Sequence, residues 1–151
     1  MIVAFAFWLF LLGALSIGWQ IGDALDRKAM AAIFCAALAT SLMGYVFDGL
    51  DKHIAVRIVD LLLLAIMVRI AMTSSRHWPI WFTGIHATAV LIGFAGLILP
   101  DARAPVLYLA AASWAIPGMI VMVVGLLIDR NNGIGERGQE KALALEDITS
   151  P

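Results

Sequence analysis

The chain is poor in charge, with only 14% of its residues Asp, Glu, Lys or Arg. That is too little to coat a water-soluble domain of this size. It has one cysteine, Cys35, set inside an apolar run. Without a second thiol, an intramolecular disulfide and a thiolate metal site are both excluded, and Cys35 reads as a small packing residue. Basic residues are not in excess: 10 Lys and Arg face 11 Asp and Glu, for a formal net charge of −1. Nucleic acid is therefore not an expected partner. The motifs of soluble enzymes are also missing. There is no phosphate-binding glycine loop, no zinc-binding His-Glu helix, and no Ser or Cys nucleophile with a base beside it. The glycines between Asn132 and Gly138 follow no strand and read as a linker. No catalytic residue, metal or cofactor is assigned.

What the chain has is apolar length. Hydrophobic residues make up 62% of it, the mean hydropathy is +0.95, and the charges cluster between long apolar runs. Five runs stand out, at about residues 2–21, 29–47, 54–72, 79–99 and 106–128. Each matches the ~20 residues that a helix needs to cross a ~30 Å hydrocarbon core. The backbone must satisfy its own hydrogen bonds in lipid, so each run is expected to be a helix. The expected fold is all-α: a polytopic transmembrane bundle of five spans over residues 1–128, then a polar, flexible cytoplasmic tail over 129–151. The first run is expected to be retained as a span and not cleaved as a signal peptide. Short connections at 22–28, 48–53, 73–78 and 100–105 imply antiparallel neighbours. Pro79 suits a first helical turn. Pro117, deep in the fifth run, predicts a kink.

The third run is the most interrupted, by Arg57, Asp60 and Arg69. If it does not cross, there are four spans. With five spans, Arg27, Lys28, Arg69, Arg76, Arg130, Arg137 and Lys141 lie on one side and Lys52, Arg57 and Arg103 on the other. The richer side is cytoplasmic, which puts the tail inside under either count and the N-terminus outside under five spans. Helical geometry favours five. At 100° per residue the three charges form no common polar face, while Arg57 and Arg69 lie near opposite ends and are expected to snorkel outward. Arg76, Trp78 and Trp81, with Trp19, are expected as anchors at the inner interface, and Tyr45 and Tyr108 near the outer one. Two small-residue stripes are candidate packing faces: Ala14, Gly18 and Gly22 in the first run, and Ala32, Ala36, Thr40 and Gly44 in the second. They serve packing within the bundle or against another subunit.

Asp60 is the leading candidate for function, because an ionisable group within a span is costly. It is either a proton or cation site facing the bundle interior or a structural pair with Arg57, three residues earlier on nearly the same face. His86 is the second candidate, with an expected axial offset from Asp60 of ~10 Å that rules out a direct hydrogen bond. It reads as a hydrogen-bonding residue more readily than as a haem or metal ligand, since His53 and His77 belong to other levels.

The segments Ile58-Val59-Asp60-Leu61-Leu62-Leu63-Leu64 and Arg76-His77-Trp78-Pro79-Ile80-Trp81, with Gly84, Tyr108 and Trp114, resemble a group of small, functionally uncharacterised bacterial membrane proteins that carry an Arg-x-Trp-Pro-x-Trp signature. The resemblance spans about Ile2 to Asn131 and is clearest over the last three runs. It implies a bacterial inner-membrane location and no activity. That group tends to have glutamine where this chain has His86, and often histidine where this chain has Gly93. Glutamine there would imply a hydrogen-bonding role and not a metal ligand. The functional expectation is a noncatalytic accessory or scaffold subunit in the lipid bilayer, beside a membrane-protein partner or further copies of itself. The alternative is a small proton- or cation-linked transporter or channel using Asp60.

Overall fold

A sharp corner between the first two helices follows from four residues, Asp23-Ala24-Leu25-Asp26. An acid three residues after a helix-capping acid, ahead of an apolar run, is a helix-start pattern. In the computed structural model, which describes residues 2–99 and 104–134, Asp23 and Asp26 close a capping box at the start of the second helix. The first connection shrinks to Gly22 and Asp23. Helix α1 covers Ile2–Ile21 and α2 covers Ala24–Val46, so Arg27 and Lys28 lie within α2 and not in the expected 22–28 loop.

The remaining helices are α3 (Gly49–Thr73), α4 (Trp78–Ile98), α5 (Ala104–Ser113) and α6 (Ala115–Asn131). No strand occurs among the described residues, and the fold is an all-helical bundle. Pro79 sits in the first turn of α4, as its missing N–H favours. Pro117 cannot donate to the Ser113 carbonyl, and the last rod breaks at Trp114, between α5 and α6. Asn131 ends α6, so residues 129–131 belong to the bundle and not to the expected tail. Most of the expected outer loop at 100–105, and the tail from residue 135 onward, fall outside the described residues.

Taken as five rods, with α5 and α6 as one, the helices close a ring: α1 packs on α2, α2 on α3, α3 on α4, α4 on α5 and α6, and α6 back on α1. Leu11, Leu15, Met30, Ile33, Met67, Trp78, Phe82, Met119, Met122 and Leu126 fill the middle. Large apolar side chains also cover the outside, among them Leu9, Leu42, Leu62, Leu91, Leu109 and Val124. Such a surface suits lipid and not water. Three rods are long and apolar enough to cross a membrane: Ala24–Val46, Trp78–Ile98 and the 27-residue Pro105–Asn131. The chain is accordingly a membrane protein. Helix α3, at 25 residues, is also long enough, but its five charges, Asp51, Lys52, Arg57, Asp60 and Arg69, set it apart.

Close approach depends on a few glycines. A Cβ at Gly18 would come within 2.6 Å of the Met30 side chain, and one at Gly22 within 2.7 Å of the Gly18 carbonyl oxygen. The expected Gly18 and Gly22 face is thus where α1 meets α2 and α6. The other stripe, Ala32, Ala36, Thr40 and Gly44, is half-buried, with Ala32 and Ala36 packed against the core, while Asp26, Ala29, Met30 and Ile33 form the fully buried face of α2. At Gly44 a Cβ would make ordinary contact, with Lys52 at 3.7 Å.

Gly125 of α6 lies directly under Trp78, and a Cβ there would overlap the Trp78 Cβ. Gly125→Ala forces α6 away from α4 and is expected to cost about 1–3 kcal/mol. Gly13→Ala, with open space at that position, is expected to be neutral or to gain up to about 1 kcal/mol. Thermal unfolding of the two variants in one detergent checks the contrast.

Candidate functional site

At the end of the bundle where α1 meets α2 and α3 meets α4, four polar side chains share a buried network. Arg76 lies in the α3–α4 connection and reaches across to the α1–α2 corner. Its Nη2 donates to Asp23 Oδ2 at 2.6 Å and its Nε to Asp26 Oδ2 at 2.9 Å. The indole Nε1–H of Trp78 donates to Asp26 Oδ1 at 2.9 Å, and the Asp23 backbone N–H donates to Asp26 Oδ2 at 2.9 Å. Asp26 is 2% exposed, and all of these bonds are local or charge-assisted, the strong kind in a low-dielectric setting. Asp129, 3% exposed at the end of α6, accepts the His77 backbone N–H at 3.3 Å and stands 3.5 Å from His77 Nδ1. Its carboxylate therefore satisfies an orphan donor at the start of α4.

A second polar cluster lies between α3 and α4. Arg57 Nη1 pairs with Asp60 Oδ2 at 2.9 Å, which is the structural pair expected from their spacing. Arg57 is buried and does not snorkel outward. Its guanidinium lies on Gly93, where an added Cβ would overlap Nη1. Glycine is the residue that leaves this space. The Arg57 Nε is buried without a hydrogen-bond partner. His86 also faces α3, with Nε2 3.0 Å from the Asp60 backbone carbonyl oxygen. The carbonyl can only accept, so Nε2 carries the proton in this geometry. The expected offset between His86 and Asp60 is corrected by this bond. It assumed level helix ends, whereas α3 is the longer helix, 25 residues against 21, and begins at Gly49, ahead of the expected span.

Two of the expected interface anchors are also corrected. Arg76 and Trp78 are buried inside the bundle, because the Asp23 and Asp26 carboxylates draw both inward. Trp81, 68% exposed, remains on the surface, as does Trp19, whose ring lies 5.8 Å from the Arg27 guanidinium carbon. At the opposite end, His53 stacks on Tyr108 at 3.9 Å, and the Tyr108 hydroxyl donates to the Gly96 carbonyl at 3.0 Å. His53 precedes the expected span. Burial first, then the charges of Lys52 and Arg57, hold its pKa below the ordinary imidazole value.

Asp23, Asp26 and Asp129 were not among the sequence candidates. The first two carry a readable signal, the capping-box spacing; Asp129, two residues before the end of its helix, carries none. Among the described residues no three His, Cys, Asp or Glu side chains gather as a metal site. The polar groups are arranged to hold helices together: each buried carboxylate faces a cation or an N–H donor from another segment.

Arg76→Met removes the cation and leaves Asp26 buried beside Trp78. The expected loss is about 3–5 kcal/mol. Adding Asp26→Asn removes the stranded charge and should recover part of that loss, giving a clear coupling in a double-mutant cycle read by thermal unfolding.

Comparison of the chain with protein-family models, with curated proteins and with solved structures finds no match, so the functional reading rests on the geometry of these two polar clusters.

Proposed function

We propose that the protein is a noncatalytic component of the bacterial inner membrane, an accessory or scaffold subunit that packs against another membrane protein or further copies of itself. The observation that carries this reading is the use made of the polar groups inside the bundle. Asp60 is engaged by Arg57, and His86 by the Asp60 backbone carbonyl. A relay or binding site needs ionisable groups that can exchange partners, whereas Asp60 is held by Arg57 within α3 and His86 is spent on joining α4 to α3.

In this reading the bundle crosses five times, with the N-terminus outside and the tail in the cytoplasm. The exposed cations Arg27, Lys28, Arg69 and Arg130 all belong to the end that carries the Arg76 network, and that end faces the cytoplasm under the positive-inside rule. Helix α3 can cross despite its five charges, because Asp51 and Lys52 lie in its first turns, Arg57 and Asp60 neutralise one another, and Arg69 lies in the last turns, where it reaches the interface.

Mild-detergent extraction at native abundance, with crosslinking, is expected to yield a stoichiometric complex with a membrane polypeptide or with further copies of the chain. Recovery as a lone, monodisperse monomer would count against the proposal. Asp60→Asn is expected to leave ion flux in reconstituted vesicles unchanged across pH; a flux that the wild type carries and the variant loses would replace the scaffold with a transporter. A reporter fused to the N-terminus should give an outside signal.

A further inference from the structure

Folding changes the charge that the network end of the bundle presents. By sequence that end mixes signs: Asp23, Asp26 and Asp129 stand beside Arg27, Lys28, Arg69, Arg76 and Arg130. In the folded chain Asp26 and Asp129 are buried, Asp23 is paired with Arg76, and Arg76 is buried with them. Arg27, Lys28, Arg69 and Arg130 stay exposed. The described acids of that end are thus turned inward, and the rim formed by the described residues is cationic. The other end differs, with Asp48 and Asp51 exposed and Lys52 half-buried.

The cations are also spread around the bundle. Arg69 is on α3, Arg27 and Lys28 on α2, and Arg130 on α6; α1, between α2 and α6, contributes the exposed Trp19, over which Arg27 is held. Exposed Trp81 on α4 occupies the remaining side. A docking site for one soluble protein would gather its charges on one face. Cations and indoles distributed around a rod with apolar flanks match the headgroup layer that surrounds a membrane protein.

We infer that this rim is a docking surface for anionic phospholipid, its phosphate groups held by Arg27, Lys28, Arg69 and Arg130 beside Trp19 and Trp81. The inference rests on membrane embedding and not on the accessory-subunit reading, so the two can fail separately. Guanidinium and ammonium groups at headgroup level attract anionic lipid through a field that falls off over about a Debye length. The buried carboxylates do not compete for these cations, because Arg76, Trp78 and His77 already engage them.

The full chain is placed in nanodiscs of phosphatidylcholine doped with phosphatidylglycerol, and the lipids it retains on release are counted by native mass spectrometry. The expected result is an enrichment of phosphatidylglycerol by roughly tenfold over its bulk fraction. On the wild type, raising salt from low to about molar concentration should abolish the enrichment, a test that needs no variant to fold. The combined R27Q, K28Q, R69Q and R130Q variant should lose it, while K52Q, at the opposite end, should keep it. Added soluble glycerol phosphate should leave the bound lipid in place. Equal retention of both lipids, salt-insensitive enrichment, displacement by glycerol phosphate, or a copurifying acidic polypeptide in place of excess anionic lipid would each overturn the inference.

Discussion

Within an apolar bundle a carboxylate is stable only when its charge is met, because removing it from water costs several kcal/mol unless charged partners and hydrogen bonds replace the solvent. Asp26 is the group on which the rest of the architecture depends. It accepts the backbone N–H of Asp23, the N-cap of α2, takes the guanidinium of Arg76 and takes the indole N–H of Trp78, and so joins the α1–α2 corner to a corner some fifty positions later in the chain. Hydrophobic packing between helices would tolerate sliding along their axes. Directional bonds to one carboxylate do not, and they set the height of α4 relative to α2.

That height propagates. With Trp78 held at Asp26, its Cβ rests on α6, where Gly125 leaves space, and its ring meets Phe82 edge-on. Asp129 then lies within reach of the His77 N–H, which holds the last turn of α6 to the first turn of α4. Further along α4, His86 and Gly93 face α3 at Asp60 and Arg57. The mid-bundle ion pair fits because Gly93 provides room for the guanidinium. Trp78 is thus matched by Gly125 and the Asp26 carboxylate, His86 by the Asp60 carbonyl and the Arg57 guanidinium by Gly93, which is how a bundle without a strong hydrophobic drive between its helices obtains a unique packing in lipid.

The rods were legible in the sequence, since runs such as Pro79–Leu99 are long, apolar and bounded by breakers, and the break before Pro117 followed from a missing N–H. The pairing of Arg57 with Asp60 was legible as an i, i+3 spacing. The network around Asp26 was not. Hydropathy places Asp23, Asp26, Arg27 and Lys28 together as a polar loop, and nothing in that run says that the acids face inward while the bases face out. Arg76 and Trp78 were misplaced for the same reason: an Arg and a Trp at a helix entry carry the pattern of an interface anchor, and only the carboxylates across the bundle reverse it. Asp129 looked like the start of the tail because its helix continues for two residues beyond it into polar sequence.

Sorting the charges by side is therefore a consequence of tertiary structure and not of composition. A surface ion pair between Asp26 and Lys28 or Arg130 would contribute little and would leave the end of the bundle electrically mixed. Turning Asp23 and Asp26 inward onto Arg76, and Asp129 onto His77, concentrates the stabilising interactions where the dielectric is low and leaves Arg27, Lys28, Arg69 and Arg130 exposed at the rim. The same bonds that fix the register of α4 thus determine the field the bundle presents to the headgroup layer. Weakening the network would be felt twice, as a loss of helix register inside and as a return of negative charge to the surface outside. A chain whose net charge is −1 in this way presents, among its described residues, a positive rim at one end, and the burial of Asp26 contributes to it.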